Sequence, residues 1–148
     1  MLKLEDVIEM WKKDSVIDDM SLDSASLDSP KLHSKYLELL SIMKLQLKKK
    51  ELNFKVLLKD KWLWYNGKMS KDEIDAKGWS YDPMNGLKVL KGDMGYFYDS
   101  DKEIQAAQGQ IEYFKSVIDT LSEILENIKW RHTHISNAIK WRQFTSGM

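Results

Sequence analysis

From Ile104 to Ile139 the chain reads IQAAQGQIEYFKSVIDTLSEILENIKWRHTHISNAI. Two heptad series run through it, Ile104, Ile111, Ile118, Leu125, Ile139 and Ala107, Phe114, Leu121, Ile128, Ile135. A seven-residue repeat of apolar positions is the period of helices that pack along a seam. Ser100 to Glu103 matches a capping box ahead of it, and no Pro or helix-stopping pair follows before Gly147. Gly109 is the one weak position, at about 1 kcal/mol relative to Ala. A helix of about 45 residues at roughly 1.5 Å per residue is nearly 70 Å long, too long for one small domain to wrap. Val117, Ile124 and Ala138 widen the apolar face beyond a two-stranded seam, so it needs more than one neighbour. The first series runs into His132 and the second into Arg142, which turns the seam polar toward the C-terminus.

The partner within the chain is a second long segment. Ser29 as N-cap and Pro30 at the first helical position predict a start, and nothing breaks the helix before Asn66 and Gly67. Tyr36, Leu40, Met43, Leu47, Phe54 and Leu57 form its apolar stripe. Ahead of it, Leu4, Val7, Ile8 and Trp11 predict a short amphipathic helix, and the Asp- and Ser-rich DDMSLDSASLDSP, residues 18–30, predicts a loop. Ser70 to Glu73 is a capping box for a short helix ending at Gly78. YDPMNG is turn chemistry, and Leu87–Leu90 with Tyr96–Tyr98 around a Gly-rich turn admit a small β-hairpin.

The expected fold is therefore mainly α. Two long antiparallel helices form a helical hairpin, with a short N-terminal helix and a small irregular or β-hairpin insert. It is read as one domain over residues 1–148. This divides into an N-terminal helix and acidic loop (1–28), a basic-aromatic helix (29–67), the insert (68–100) and the C-terminal helix (101–148). Apolar surface that the hairpin leaves exposed predicts self-association. The residues expected to carry it are Ile111, Phe114, Ile118, Leu121, Leu125, Ile128, Ile135, Ile139, Trp141 and Phe144.

Lys plus Arg and Asp plus Glu both total 23, but the charge is segregated. Residues 1–30 sum to −5, 31–68 to +7, 69–103 to −3 and the remainder to +1. With no Cys the chain has no disulfide, Cys-based zinc site or thiol nucleophile, which fits a reducing compartment. No apolar run reaches the roughly 18 residues of a membrane helix, and the acidic N-terminus does not resemble a signal peptide. Phosphate-binding loops, dinucleotide fingerprints and nucleophile elbows are absent, so no enzyme, cofactor or metal is expected. His132 and His134, two apart on a helix, point away from each other and make poor joint ligands.

The positive segment ends in LKDKWLWYNGK, Leu58 to Lys68. Lys44, Lys48, Lys55, Lys59 and Trp62 return to one helical stripe about 60° wide. The ordinary meaning of such a stripe is a solvated face. Here the lysines outnumber nearby acids, Glu51 being the closest, and the stripe ends among Trp62, Trp64 and Tyr65. Lysines for phosphate beside rings for base stacking are the elements of sequence-independent single-strand binding. Trp62 and Trp64 project roughly 200° apart, so at least one belongs to the core. The expected DNA-binding set is Lys44, Lys48, Lys55, Lys59, Lys61, Trp62, Tyr65 and Lys68. Lys59 and Lys61 leave an unbroken helix on different faces. One strand meets both only where the helix end unwinds or where the strand passes between subunits.

LKDKWLWYNG, the opening LEDVIEMWKKDSVIDD and the closing AIKWRQFTSG together resemble the UvsY recombination mediators of T-even-like bacteriophages, in order and length nearly end to end. The resemblance implies a non-catalytic accessory of homologous recombination in the cytoplasm of the infected bacterial host. Such a protein binds single-stranded DNA and helps load the RecA-like recombinase UvsX onto strands covered by the phage single-strand-binding protein. It also implies a ring homo-oligomer, hexamer or heptamer, assembled through the C-terminal helix that ends near Phe144. The family's DNA-contacting stretch maps onto Lys59 and Lys61. Lys61 stands where the family has Arg, exchanging a bidentate fork for a point charge. Competing readings are a helical adaptor or scaffold of phage assembly and, more weakly, a chaperone that meets basic partners through the acidic loop.

Overall fold

The computed structural model describes residues 2–147. Five α-helices occur among them: α1 Leu4–Asp14, α2 Leu22–Tyr65, α3 Lys71–Lys77, α4 Met94–Ser100 and α5 Lys102–Thr145, with a 3-10 turn at Lys91–Asp93. No described residue is in a strand. The chain forms two compact units, one from Met1–Gln46 with Phe114–Met148 and one from Leu47–Tyr113. Both long helices contribute to each unit.

In the first unit the side chain of Val7 on α1 is fully buried, and Trp11 meets Tyr36 of α2 edge-on at 5.6 Å between ring centroids. The Tyr36 hydroxyl donates to Asp14 Oδ2 (2.8 Å), and Lys35 Nζ reaches the same oxygen (2.6 Å). Burial and that hydrogen bond push the Tyr36 phenol well above its ordinary range. Arg131 of α5 is buried and donates to the carbonyls of Ser15 and Val16 (3.3 Å each), while Arg142 donates to the Asp19 carbonyl. The link between α1 and α2 is thus stapled to α5 by two guanidinium groups.

The loop expected at 18–30 is mostly helical, because α2 begins at Leu22 rather than at Ser29. Leu22 and Ala25 pack on Ile135, with Ile17 and Ala138 around them. Burying that edge outweighs the poor helix propensity of the intervening Ser and Asp residues, whose side chains face water. Pro30 lies inside the helix at an exposed position, where water can serve the carbonyl that its missing N–H leaves behind.

In the second unit, α2 and α5 run antiparallel. Lys50 Nζ donates to Gln110 Oε1 (3.3 Å), and further along α2 the Tyr65 hydroxyl donates to Asp101 Oδ2 (2.7 Å). Ser70 caps α3 by accepting from the Glu73 N–H (3.3 Å), and Gly78 ends it in the left-handed conformation (φ 71°), as the sequence pattern predicts. The capping box at Ser100 does not form. Asp101 takes that role, its Oδ1 accepting from the N–H groups of Glu103 and Ile104 (3.0 Å each). Nor is there a hairpin, since residues 94–100 are helical. That turn of helix carries Phe97 onto Tyr65 (5.6 Å) and lets the Tyr98 hydroxyl donate to the Leu58 carbonyl (3.3 Å). These contacts override the strand-like composition.

Candidate nucleic-acid interface

The helix-forming residues of α2 set its cations out in a row. In the second unit Lys48, Lys55 and Lys59 are exposed. Lys48 and Lys55 have no ion-pair partner among the described residues, and Lys59 has only the distant Asp60 carboxylate at 3.9 Å. Lys44, in the first unit, is exposed as well. Trp62 at the end of the row is 39% exposed, and Lys68 Nζ sits 4.7 Å above its ring. A cation placed on an exposed indole leaves the ring's other face for a second planar group.

Lys61 is elsewhere. Only 3% of it is exposed, and its ammonium lies 3.1 Å from Asp101 Oδ2 and 3.1 Å from Glu103 Oε2. The rings of Trp64 and Trp79 flank it, at 4.6 and 4.1 Å from their centroids. Trp64 is buried with Met69 and Ile74, and its Nε1 donates to the Ser80 carbonyl (2.8 Å). Trp79 Nε1 donates to Glu103 Oε2 (2.8 Å). A buried ammonium satisfied by two carboxylates and two rings is a structural fixture, so Lys61 does not share the surface of Lys59.

Tyr65 is half-buried and turned inward. Burial and the hydrogen bond to Asp101 push its phenol well above the ordinary range. Burial alone would raise the Asp101 carboxyl. The hydrogen bonds from Tyr65 and the Ile104 N–H, with the Lys61 ammonium, outweigh it and hold the group below the usual carboxylate range.

The residues expected to mediate self-association divide in two. Ile111, Phe114, Leu121, Leu125, Ile128 and Ile135 are buried within the chain itself, and Ile118 is half-buried. Ile139, Trp141 and Phe144 are exposed, the last two stacked at 5.7 Å with Trp130 also uncovered on the same helix. Among the described residues no cluster of His, Cys, Asp or Glu has the geometry to hold a metal ion, and no helix is long and apolar enough to cross a membrane.

Residues 10–148 match a family described as recombination, repair and ssDNA binding protein UvsY. The chain belongs to the UvsY family. Its structure is similar to that of the bacteriophage T4 recombination mediator protein UvsY in three lattices. The first superposes with a TM-score of 0.83 at 27% identity, covering 99% of each chain. The second has a TM-score of 0.83 at 26% identity, covering 97% of this chain and 99% of the other. The third has 0.81 at 26%, covering 95% and 98%. No curated protein sequence matches. Within the UvsY fold, sequence reasoning missed the acceptors of Lys61. Asp101 and Glu103 lie far from it along the chain, and the only hint was their placement at the start of α5.

Proposed function

We propose that this protein is a recombination mediator that binds single-stranded DNA along the exposed cationic side of α2. It helps load a RecA-like recombinase of the UvsX kind onto strands covered by single-strand-binding protein, in the cytoplasm of the infected host. The observation that carries the DNA reading is the row Lys48, Lys55, Lys59 with few acids beside it, ending in a Trp62 ring that has Lys68 on one face. Membership of the UvsY family supports the biological role.

Each lysine that meets a phosphate releases condensed counterions, and Trp62 adds stacking that no base can refuse. A few such contacts per chain are weak. Repetition around a homo-oligomer, assembled through the uncovered Trp141 and Phe144 end of α5, makes them add by raising the effective concentration of the next site. The role requires no chemistry on the DNA. A strand held on several such faces is drawn away from its covering protein and left open to the recombinase.

The test is binding of fluorescent oligo(dT) over a series of salt concentrations, with wild type, Lys59→Ala and Lys55→Ala/Lys59→Ala at matched assembly mass. Steep loss of affinity with salt, reduced stepwise in the variants, is expected. A folded oligomer that ignores oligo(dT) even at low salt would leave a helical scaffold as the better account.

A further inference from the structure

The second unit contains a cleft of about 300 Å³ between the end of α2 and the irregular segment after α3. Asn66 and Gly67 line one side and Tyr81, Asp82 and Lys88 the other. The segment is held in place. Trp64 Nε1 bonds the Ser80 carbonyl (2.8 Å), Asp82 Oδ1 accepts from the Gly86 N–H (2.8 Å), and the Leu87 N–H donates to the Met84 carbonyl (3.1 Å). Tyr81 is nevertheless 67% exposed, with no hydrogen-bond or ring partner among the described residues. An uncovered ring fastened beside a cavity is a stacking platform that the core does not use.

Size and charge narrow the occupant. The cleft sits at the lower end of the roughly 300–1,000 Å³ range of small-ligand sites, room for one planar group rather than an extended cofactor. Lys88 is exposed and has no ion-pair partner among the described residues. Asp82 is the one acid among the described residues of the lining, and one of its oxygens is engaged by the Gly86 N–H. The cleft also begins where the lysine row ends, because Asn66 Nδ2 donates to the Trp62 carbonyl (2.8 Å) and Lys68 follows Gly67. A flat group carried on an anionic chain arriving from Trp62 fits all of these.

We propose that the cleft receives one nucleobase of bound single-stranded DNA, stacked on Tyr81 with its flanking phosphate on Lys88. This rests on the DNA reading above and extends the site from α2 onto the segment after α3. Stacking on a single aromatic and one phosphate contact are both sequence-tolerant, so no base preference is required.

The experiment uses the full-length oligomer and an oligo(dT) carrying one iodouracil. Irradiation is expected to link the base to Tyr81. In binding titrations Tyr81→Ala should weaken affinity by about tenfold, Tyr81→Trp should bind like wild type, and Lys88→Ala should reduce the salt slope by about 0.7. The absence of any adduct within residues 80–88, or wild-type affinity in Tyr81→Ala while Lys59→Ala binds weakly, would overturn the cleft and leave the lysine row standing. If wild type and Lys59→Ala bind alike, the row itself fails and the cleft proposal falls with it.

Discussion

Lys61 and Asp101 form a buried ion pair, Nζ to Oδ2 at 3.1 Å, in which each partner is about 95% removed from water. The same carboxylate caps α5 through its other oxygen and accepts from Tyr65 through this one. One acid therefore joins a helix start, a buried cation and the end of α2.

Removing half of such a pair strands the other charge. Lys61→Ala is expected to cost about 3–5 kcal/mol, because Asp101 would remain buried without its cation. Lys59→Ala, on an exposed side chain, should be nearly neutral. In DNA titrations at a temperature where both are folded, Lys59→Ala should lower the salt slope by about 0.7, and Lys61→Ala should leave it unchanged. Equal melting temperatures for the two variants would contradict the burial of Lys61.

The acid limb of stability follows from the carboxylates. Asp101 and Asp14 are both held below their ordinary value of 3.8. A depressed pKa contributes stability that is present above the unfolded value and lost as pH falls through the folded one. Unfolding free energy should therefore decline as pH drops below about 4, and Asp101→Asn should flatten the decline. A profile just as steep in that variant would refute the assignment.

The alkaline limb has the opposite sign. Tyr65 and Tyr36 are raised above their ordinary value of 10.0, so their contribution is complete below that pH and fades as pH rises beyond it. Spectrophotometric titration should show Tyr36 and Tyr65, and with them Tyr98, which burial also raises, ionising later than the exposed tyrosines. Tyr65→Phe should remove one of them.

Ser70→Ala should cost about 1 kcal/mol by leaving the Glu73 N–H without its acceptor at the start of α3. Hydrogen exchange of the α3 amides reads this directly. Unchanged protection would mean that packing of Ile74, not the cap, holds the helix.

At the other end of the chain, Trp141→Ser/Phe144→Ser removes two stacked, exposed rings. The expected outcome is a smaller assembly by native mass spectrometry with unchanged helical circular dichroism. An assembly of the same mass would move self-association to another surface.

The sequence by itself determined the helical class, the two long elements, the cap at Ser70, the stop at Gly78 and the row of lysines on α2. Each follows from local spacing, which the 3.6-residue period converts directly into a face. It also divided Trp62 from Trp64 by their angular separation, and the structure leaves the first exposed and buries the second. Tertiary structure decided what distance along the chain conceals. Leu22 and Ala25 become helical because Ile135 covers them, and residues 94–100 become helical because Phe97 reaches Tyr65. Most of the heptad residues of α5 serve the chain's own core, leaving Ile139, Trp141 and Phe144 outside. Lys61, whose neighbours in sequence suggest a surface cation, is enclosed by Asp101, Glu103, Trp64 and Trp79. A lysine's solvation is set by whatever folds over it, and three of those four partners lie outside α2.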